Sequence, residues 1–154
     1  MDEDLEEVQF NLRYAQRLCQ RTARFYRRIQ TLLTFISLLA GSGAVATLAA
    51  QLPIPSAWFM AVFAIFGCVN LAIRPADKIA ANEADIRKYG ALLAKVQTLD
   101  AATLQQQLNE ARQSDAAEVE PLRAVAYNDV VLESYEPDAL IKLTPMQKLI
   151  GALA

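Results

Sequence analysis

The chain has 154 residues, of which 54% are hydrophobic, with a mean hydropathy of +0.17 and a formal net charge of −2. It has no histidine and only two cysteines, Cys19 and Cys68, far apart, which excludes a zinc cluster or a disulfide framework built from sequence-local ligands. A chain this short leaves room for one modest helical domain beside any apolar segment, so an enzyme is the least supported class and no cofactor is expected.

The first seven residues, MDEDLEE, hold five acids, and residues 8–28 then hold six arginines and no acid. Arg13, Arg17, Arg21, Arg24 and Arg28 recur at helical spacing and share one face. Leu5, Val8, Leu12, Ala15, Cys19 and Tyr26 lie on the opposite one. Residues 1–30 therefore read as a basic amphipathic helix. Two readings of its arginine stripe stand: positive-inside topology with attraction to anionic lipid head groups, or a surface that binds ligand phosphates or acidic partners. No Gly-rich phosphate loop accompanies it, and no nucleic acid is expected as a partner.

Residues 29–73 run for 45 positions without a charge. A helix crossing a hydrocarbon core about 30 Å thick needs roughly 20 apolar residues, so this length suits two spans rather than one. The prolines of QLPIPS (51–56) divide the run, giving expected spans at 31–52 and 56–73 with a turn at 53–55. The run starts too late and is too long for a cleaved signal peptide.

Small or weakly polar residues line both segments: Thr34, Ser37, Ala40, Gly41, Gly43, Ala44 and Thr47 in the first, Ala57, Ala61, Ala64 and Cys68 in the second, with Asn70 near its end. Such faces mark close helix packing within the hairpin, between subunits, or along a water-lined path. Arginines before the first segment and Arg74 and Lys78 after the second put both termini in the cytoplasm.

Residues 74–98 read as a cytoplasmic stalk helix opened by Pro75, with Ile79, Ile86, Leu93 and Val96 as its apolar stripe. Residues 99–154 form an acidic helical tail, with nine acids and four bases from Asp100 onward. Asp100 should cap a helix over 101–113. Pro121 opens another whose buried side is Leu122, Val125, Ala126 and Val130, and Thr144-Pro145 opens a last short one. Glu118, Glu120, Asp129 and Glu133 read as a solvated face, although an acidic tail and a basic helix on one side of a membrane can also pair.

The expected fold class is thus an all-α membrane protein: a two-helix transmembrane hairpin with long cytoplasmic helical extensions and a small helical C-terminal tail.

The layout RTARFYRRIQTLL, LLAGSGAVATLAA, ADIRKYGALLAKVQ and AYN, in that order across about residues 10–135, resembles the SLATT family of bacterial two-transmembrane proteins found beside nucleotide-second-messenger systems. The resemblance implies an antiviral defence effector of the bacterial inner membrane that forms homo-oligomers and permeabilises the membrane as a pore. It implies membrane lipids and a soluble sensor or signalling enzyme as partners. It brings no catalytic residues and no metal ligands, and no sensing domain is appended here. The alternative is a non-catalytic anchor or scaffold that recruits a soluble partner through its helical tail. A phage holin shares the hairpin but seldom so large a tail.

Overall fold

The computed structural model describes residues 3–40, 42, 47, 51, 56–134 and 137–154, and among these the chain is all-helical with no strands. The organising element is α1, Glu3–Ala40, 38 residues without a glycine or proline. Glu3, Asp4 and Glu6 in its first turn complement the positive end of the helix dipole. Against it lie α2 (Ser56–Ile73), α3 (Pro75–Leu93), α4 (Ala101–Arg112), α5 (Leu122–Glu133) and α6 (Pro145–Ala152), with a 3₁₀ turn at Pro137–Ala139.

The α1–α3 contact is the most extensive. Arg27 reaches Glu83 at 2.6 Å, while Gln16 reaches the Ile86 carbonyl at 3.4 Å. One helix therefore descends as the other climbs. Gly90 permits this approach, since an added Cβ would stand 3.1 Å from the Gln16 amide nitrogen.

Two apolar clusters form on different sides of α1. Val8, Leu12, Ala15 and Cys19 meet Tyr89, Leu92 and Val96 and, from α4, Leu104, Leu108 and Ala111. Leu18, supported by Tyr14 and Phe25, meets Leu122, Val125 and Ala126 of α5 and Ala154. Leu12, Leu104, Leu108 and Leu122 are fully buried, each worth about 2 kcal/mol of apolar transfer. The first half of α1 is thus held between two helix pairs.

The transmembrane hairpin is corrected by the helices themselves. No helix among the described residues is long and apolar enough to cross a membrane, so a membrane-protein fold is not supported. The physical reason is continuity. The charge-free run counts composition, whereas a span needs one unbroken apolar rod. The uncharged end of α1 within the described residues, 29–40, amounts to about 18 Å at a rise of about 1.5 Å per residue, and α2 to about 27 Å, against a hydrocarbon core of about 30 Å. Gly41, Gly43, Ala44, the turn at 53–55 and the side chains of Ala40 and Ala57 lie outside the described residues.

Arg74 separates α2 from α3. Its φ of 49° and ψ of 58° place it in the left-handed region, the one positive φ among the described non-glycine residues. Pro75 disfavours the right-handed helical conformation for the residue before it, which explains the break. The Arg74 side chain then turns onto Asp77 at 2.7 Å.

The buried face of α3 differs from the expected stripe. Asn82, Asp85, Tyr89 and Leu92 point inward, while Ile79, Ile86 and Leu93 flank them half-buried. Polar groups on that face find partners: the Asn82 amide donates to the Lys78 carbonyl at 2.9 Å, and Asp85 accepts from the Ala116 backbone N–H at 2.8 Å.

Candidate functional site

The arginine stripe of α1 is divided among four environments. Arg13 is exposed beside a cleft that Glu3, Glu6, Glu7 and Phe10 also line. Arg17 pairs with Glu133 of α5. The guanidinium of Arg21 holds both carboxylate oxygens of Asp129, Nε to Oδ2 at 2.7 Å and Nη2 to Oδ1 at 2.8 Å. Arg27, outside the stripe, turns the other way to Glu83.

The fourth environment is the end of α6. Arg21 Nη1 donates to the carbonyls of Gly151 (3.4 Å) and Ala154 (3.3 Å), Arg24 Nη1 to Ala154 (3.0 Å), and Arg28 Nη1 to Ala152 (2.6 Å). These carbonyls belong to the last turn of a helix and the residues after it, where intrahelical donors run out and the dipole is negative. Cations are the natural caps there.

Local sequence explains why α6 arrives at this place. Thr144 and Gln147 form a reciprocal capping box, with Pro145 in the first turn. Asn128 of α5 clasps Ile141, donating to its carbonyl at 2.8 Å and accepting from its N–H at 2.9 Å. Gly151 lets α6 lie close on α5, because a Cβ there would sit 3.0 Å from Val125 Cγ2. Ile150 and Ala154 complete the contact within the second cluster.

Beside the stripe, α3 carries a charged knot. Lys88 Nζ reaches Asp115 at 2.7 Å, Asp85 at 2.8 Å and the Ala111 carbonyl at 2.8 Å. The Tyr89 hydroxyl donates to the second oxygen of Asp115. This knot pins the segment after α4 onto α3. Burial works against the Lys88 charge, but its hydrogen bonds to Asp115 and Asp85 outweigh that and leave its pKa raised. Burial, then the bond to Asp115, raises the Tyr89 phenol. Burial also pushes the Cys19 thiol up to about 12, with Asp85 and Asp115 adding to the effect, so it is an unreactive packing group.

Glu118, Glu120 and Glu133 are exposed, as expected of a solvated face, and they also pair: Glu118 and Glu120 with Arg123 at 2.8 and 3.2 Å, Glu133 with Arg17, while the half-buried Asp129 holds Arg21. The expected tail-to-helix pairing is therefore present in atomic detail. An open cleft of about 580 Å³ lies between Tyr14, Arg112, Glu118, Glu120 and Arg123.

The small-residue candidates have a different setting. Ala61, Ala64 and Cys68 of α2 are exposed, whereas Phe63 and Phe66 are half-buried. The covered side of α2 among the described residues is thus the one with Phe63 and Phe66, while Trp58, Val62, Ile65 and Val69 stay exposed with the small residues. Thr34 and Thr47 are exposed, Ser37 Oγ donates to the Leu33 carbonyl at 2.9 Å, and Asn70 is half-buried.

The chain matches no protein-family model, no curated protein and no solved structure. Function must therefore be argued from the arrangement. Among the described residues no group of three or more Cys, Asp or Glu is placed to hold a metal ion. What the arrangement offers is a basic surface closed by main-chain oxygens, a charged cleft, and an arm, made of residues 29–40 of α1 and of α2, that carries exposed apolar groups.

Sequence reasoning found the arginines and the acidic tail as their partner, but not which residues meet or that the end of α6 joins them. The i, i+4 and i+3 spacing fixes a face but not what covers it. The net −5 of the tail was the one available signal.

Proposed function

We propose that the protein is a non-catalytic, self-assembling effector. In this reading the helical head around the first half of α1 is the control and recruitment part, and the outer face of α2 is where copies meet. The observation that carries it is a stripe of Trp58, Val62, Ile65 and Val69, spaced i, i+4, i+3, i+4 and exposed at 66%, 46%, 61% and 37%. Leu32, Phe35 and Leu39 repeat the pattern on α1.

Contiguous exposed apolar surface of this kind marks an interaction site. Ala61, Ala64 and Cys68 lie exposed alongside, and small side chains let a second helix approach closely. No charge stands between 29 and 73 to match a charged partner, whereas a second copy brings the same apolar face. Burying what remains exposed of four large side chains from each of two copies, at about 1 kcal/mol each, is within the roughly 4–15 kcal/mol that association costs.

The test is oligomer mass by light scattering of the purified chain, with Ile65→Asp as the variant. Self-association that this substitution abolishes supports the reading. A wild-type protein that stays monomeric at the same concentration as the variant would refute it.

The exposed apolar groups on both helices of the arm also favour a second reading, in which assembled copies permeabilise a lipid bilayer, as the family resemblance implies. Dye release from anionic vesicles, lost in Ile65→Asp, is its readout. Recruitment of a soluble sensor or signalling enzyme would fall to the head, where the cleft between Tyr14, Arg112 and Arg123 is open.

A further inference from the structure

The end of α6 occupies a place on α1 where three arginine side chains converge. Arg21, Arg24 and Arg28 converge on the main-chain oxygens of Gly151, Ala152 and Ala154. Asp129 is the one acidic side chain among the described residues that reaches any of the three, and it engages Arg21 through Nε and Nη2. Arg24 and Arg28 meet no acidic side chain among the described residues, and each spends a single Nη1 on a carbonyl. A helix C-terminus carries only about half a negative charge. Among the described residues no acidic side chain neutralises Arg24, Arg28 or the Nη1 edge of Arg21.

The element covering them is lightly held. None of the residues of α6 is buried, and Met146 and Leu149 are more than 60% exposed. Its attachments are the Ile150 and Ala154 contacts, the seat of Gly151 on Val125, and the arginines themselves. The Asn128 clasp on Ile141 lies before α6, so the helix could swing away while its connection to α5 stays fastened.

We propose that Arg24, Arg28 and the Nη1 edge of Arg21 form a binding site for a phosphate-bearing anion, and that α6 is a displaceable plug whose terminal carbonyls hold the site closed. Arginine forks match phosphate oxygens in pairs, and a full anion competes with carbonyl dipoles for the same N–H groups. Asp129 stays on Arg21 and fixes its orientation. Binding then exchanges carbonyl acceptors for phosphate oxygens and releases α6 with its exposed apolar side chains. The site is independent of whether copies self-associate through α2.

The test uses the full chain and two probes, inorganic tripolyphosphate by calorimetry and phosphatidylglycerol vesicles by co-sedimentation. Hydrogen exchange across α6 is followed in parallel. Arg24→Gln with Arg28→Gln should weaken binding by tenfold or more, as expected for lost charge-assisted hydrogen bonds. Gly151→Leu, which keeps all three guanidiniums but pushes α6, with the Gly151 carbonyl that Arg21 holds, off Val125, should strengthen binding. Exchange in α6 should rise on binding. Binding of tripolyphosphate identifies a free phosphate ligand, and arginine-dependent binding of vesicles alone identifies a lipid head group. Absence of binding to either probe by both the wild type and Gly151→Leu would overturn the proposal. So would binding that ignores the arginine substitutions or leaves α6 exchange unchanged. Circular dichroism of each variant reports whether its helices remain.

Discussion

The guanidinium of Arg21 and the carboxylate of Asp129 meet edge to edge, with two hydrogen bonds of 2.7 and 2.8 Å across 108 positions of sequence. Both side chains are about one-fifth exposed, so this pair is screened less than a surface contact. It fastens α5 to α1 and, through the remaining Arg21 donor, positions the end of α6. It shares the joining of the two helices with the Arg17–Glu133 pair and the packing of Leu18 on Leu122, Val125 and Ala126.

A double-mutant cycle on Arg21→Ala and Asp129→Ala should give a coupling of about 1–2 kcal/mol in urea unfolding. That is above the roughly 0–1 kcal/mol of exposed pairs, because the geometry is bidentate and partly shielded. Arg123 with Glu120, whose side chains are 52% and 75% exposed, should couple by less than about 0.5 kcal/mol in the same assay. Equal couplings at the two places would contradict the assignment.

The stability of the head should fall in alkali. Cys19, Tyr89 and Lys88 all have pKa values raised by the fold. A group with a raised folded pKa keeps its proton in the folded state after the unfolded chain has lost it, so its contribution is complete below the unfolded pKa and disappears as pH rises through the folded one. Cys19 acts first, because its ordinary value is 9.0 and its folded value about 12. Urea midpoints should therefore be level near neutrality and decline from about pH 9. Cys19→Ala should delay the onset toward pH 10, where Tyr89 and then Lys88 take over. An unchanged onset would show that the thiol is not the first group to titrate.

Several local features were legible in the sequence because they depend on neighbours in the chain. Asp100 accepts from the Thr103 N–H at 3.1 Å, Thr144 heads its capping box, and Val8, Leu12, Ala15 and Cys19 form one buried face. The buried side of α3 was not legible. Ile79, Ile86 and Leu93 follow a sevenfold repeat, but Asn82 and Asp85 take the interior positions because Ala116, Lys88 and the Lys78 carbonyl satisfy them. Those partners lie on that helix or 31 residues away, and hydropathy gives no hint of them. The charge-free run of 29–73 misled for a related reason. It shows where charge is absent, and its second half is helical over Ser56–Ile73 as expected, yet no helix among the described residues is long and apolar enough to cross a membrane.

Arg74 offers a gain in stability. Its left-handed conformation costs a side-chain-bearing residue about 1–2 kcal/mol, which glycine avoids. The ion pair to Asp77 that would be lost has side chains 73% and 59% exposed and contributes little. Part of the gain is offset by the greater freedom of glycine in the unfolded chain. Arg74→Gly should therefore raise stability by about 0.5–1 kcal/mol, whereas Arg74→Ala, which keeps the Cβ, should not. Thermal unfolding of the two variants decides between strain at this joint and a merely permissive turn.

Thr22 supplies the most direct check on packing between α1 and its neighbours. It is fully buried, and its Oγ1 has no hydrogen-bond partner among the described residues. A buried hydroxyl left unpaired forfeits its hydration without recompense, at a cost of about 1–3 kcal/mol. Thr22→Val replaces the hydroxyl with a methyl of nearly the same size and removes that penalty, so the head should gain about 1 kcal/mol. Thr22→Ala removes the penalty too but leaves a void the size of a methyl group, so it should gain less than valine or lose stability. If valine destabilised the protein as alanine does, the Thr22 hydroxyl would have to be making a bond in solution. α1 would then sit differently between its two helix pairs.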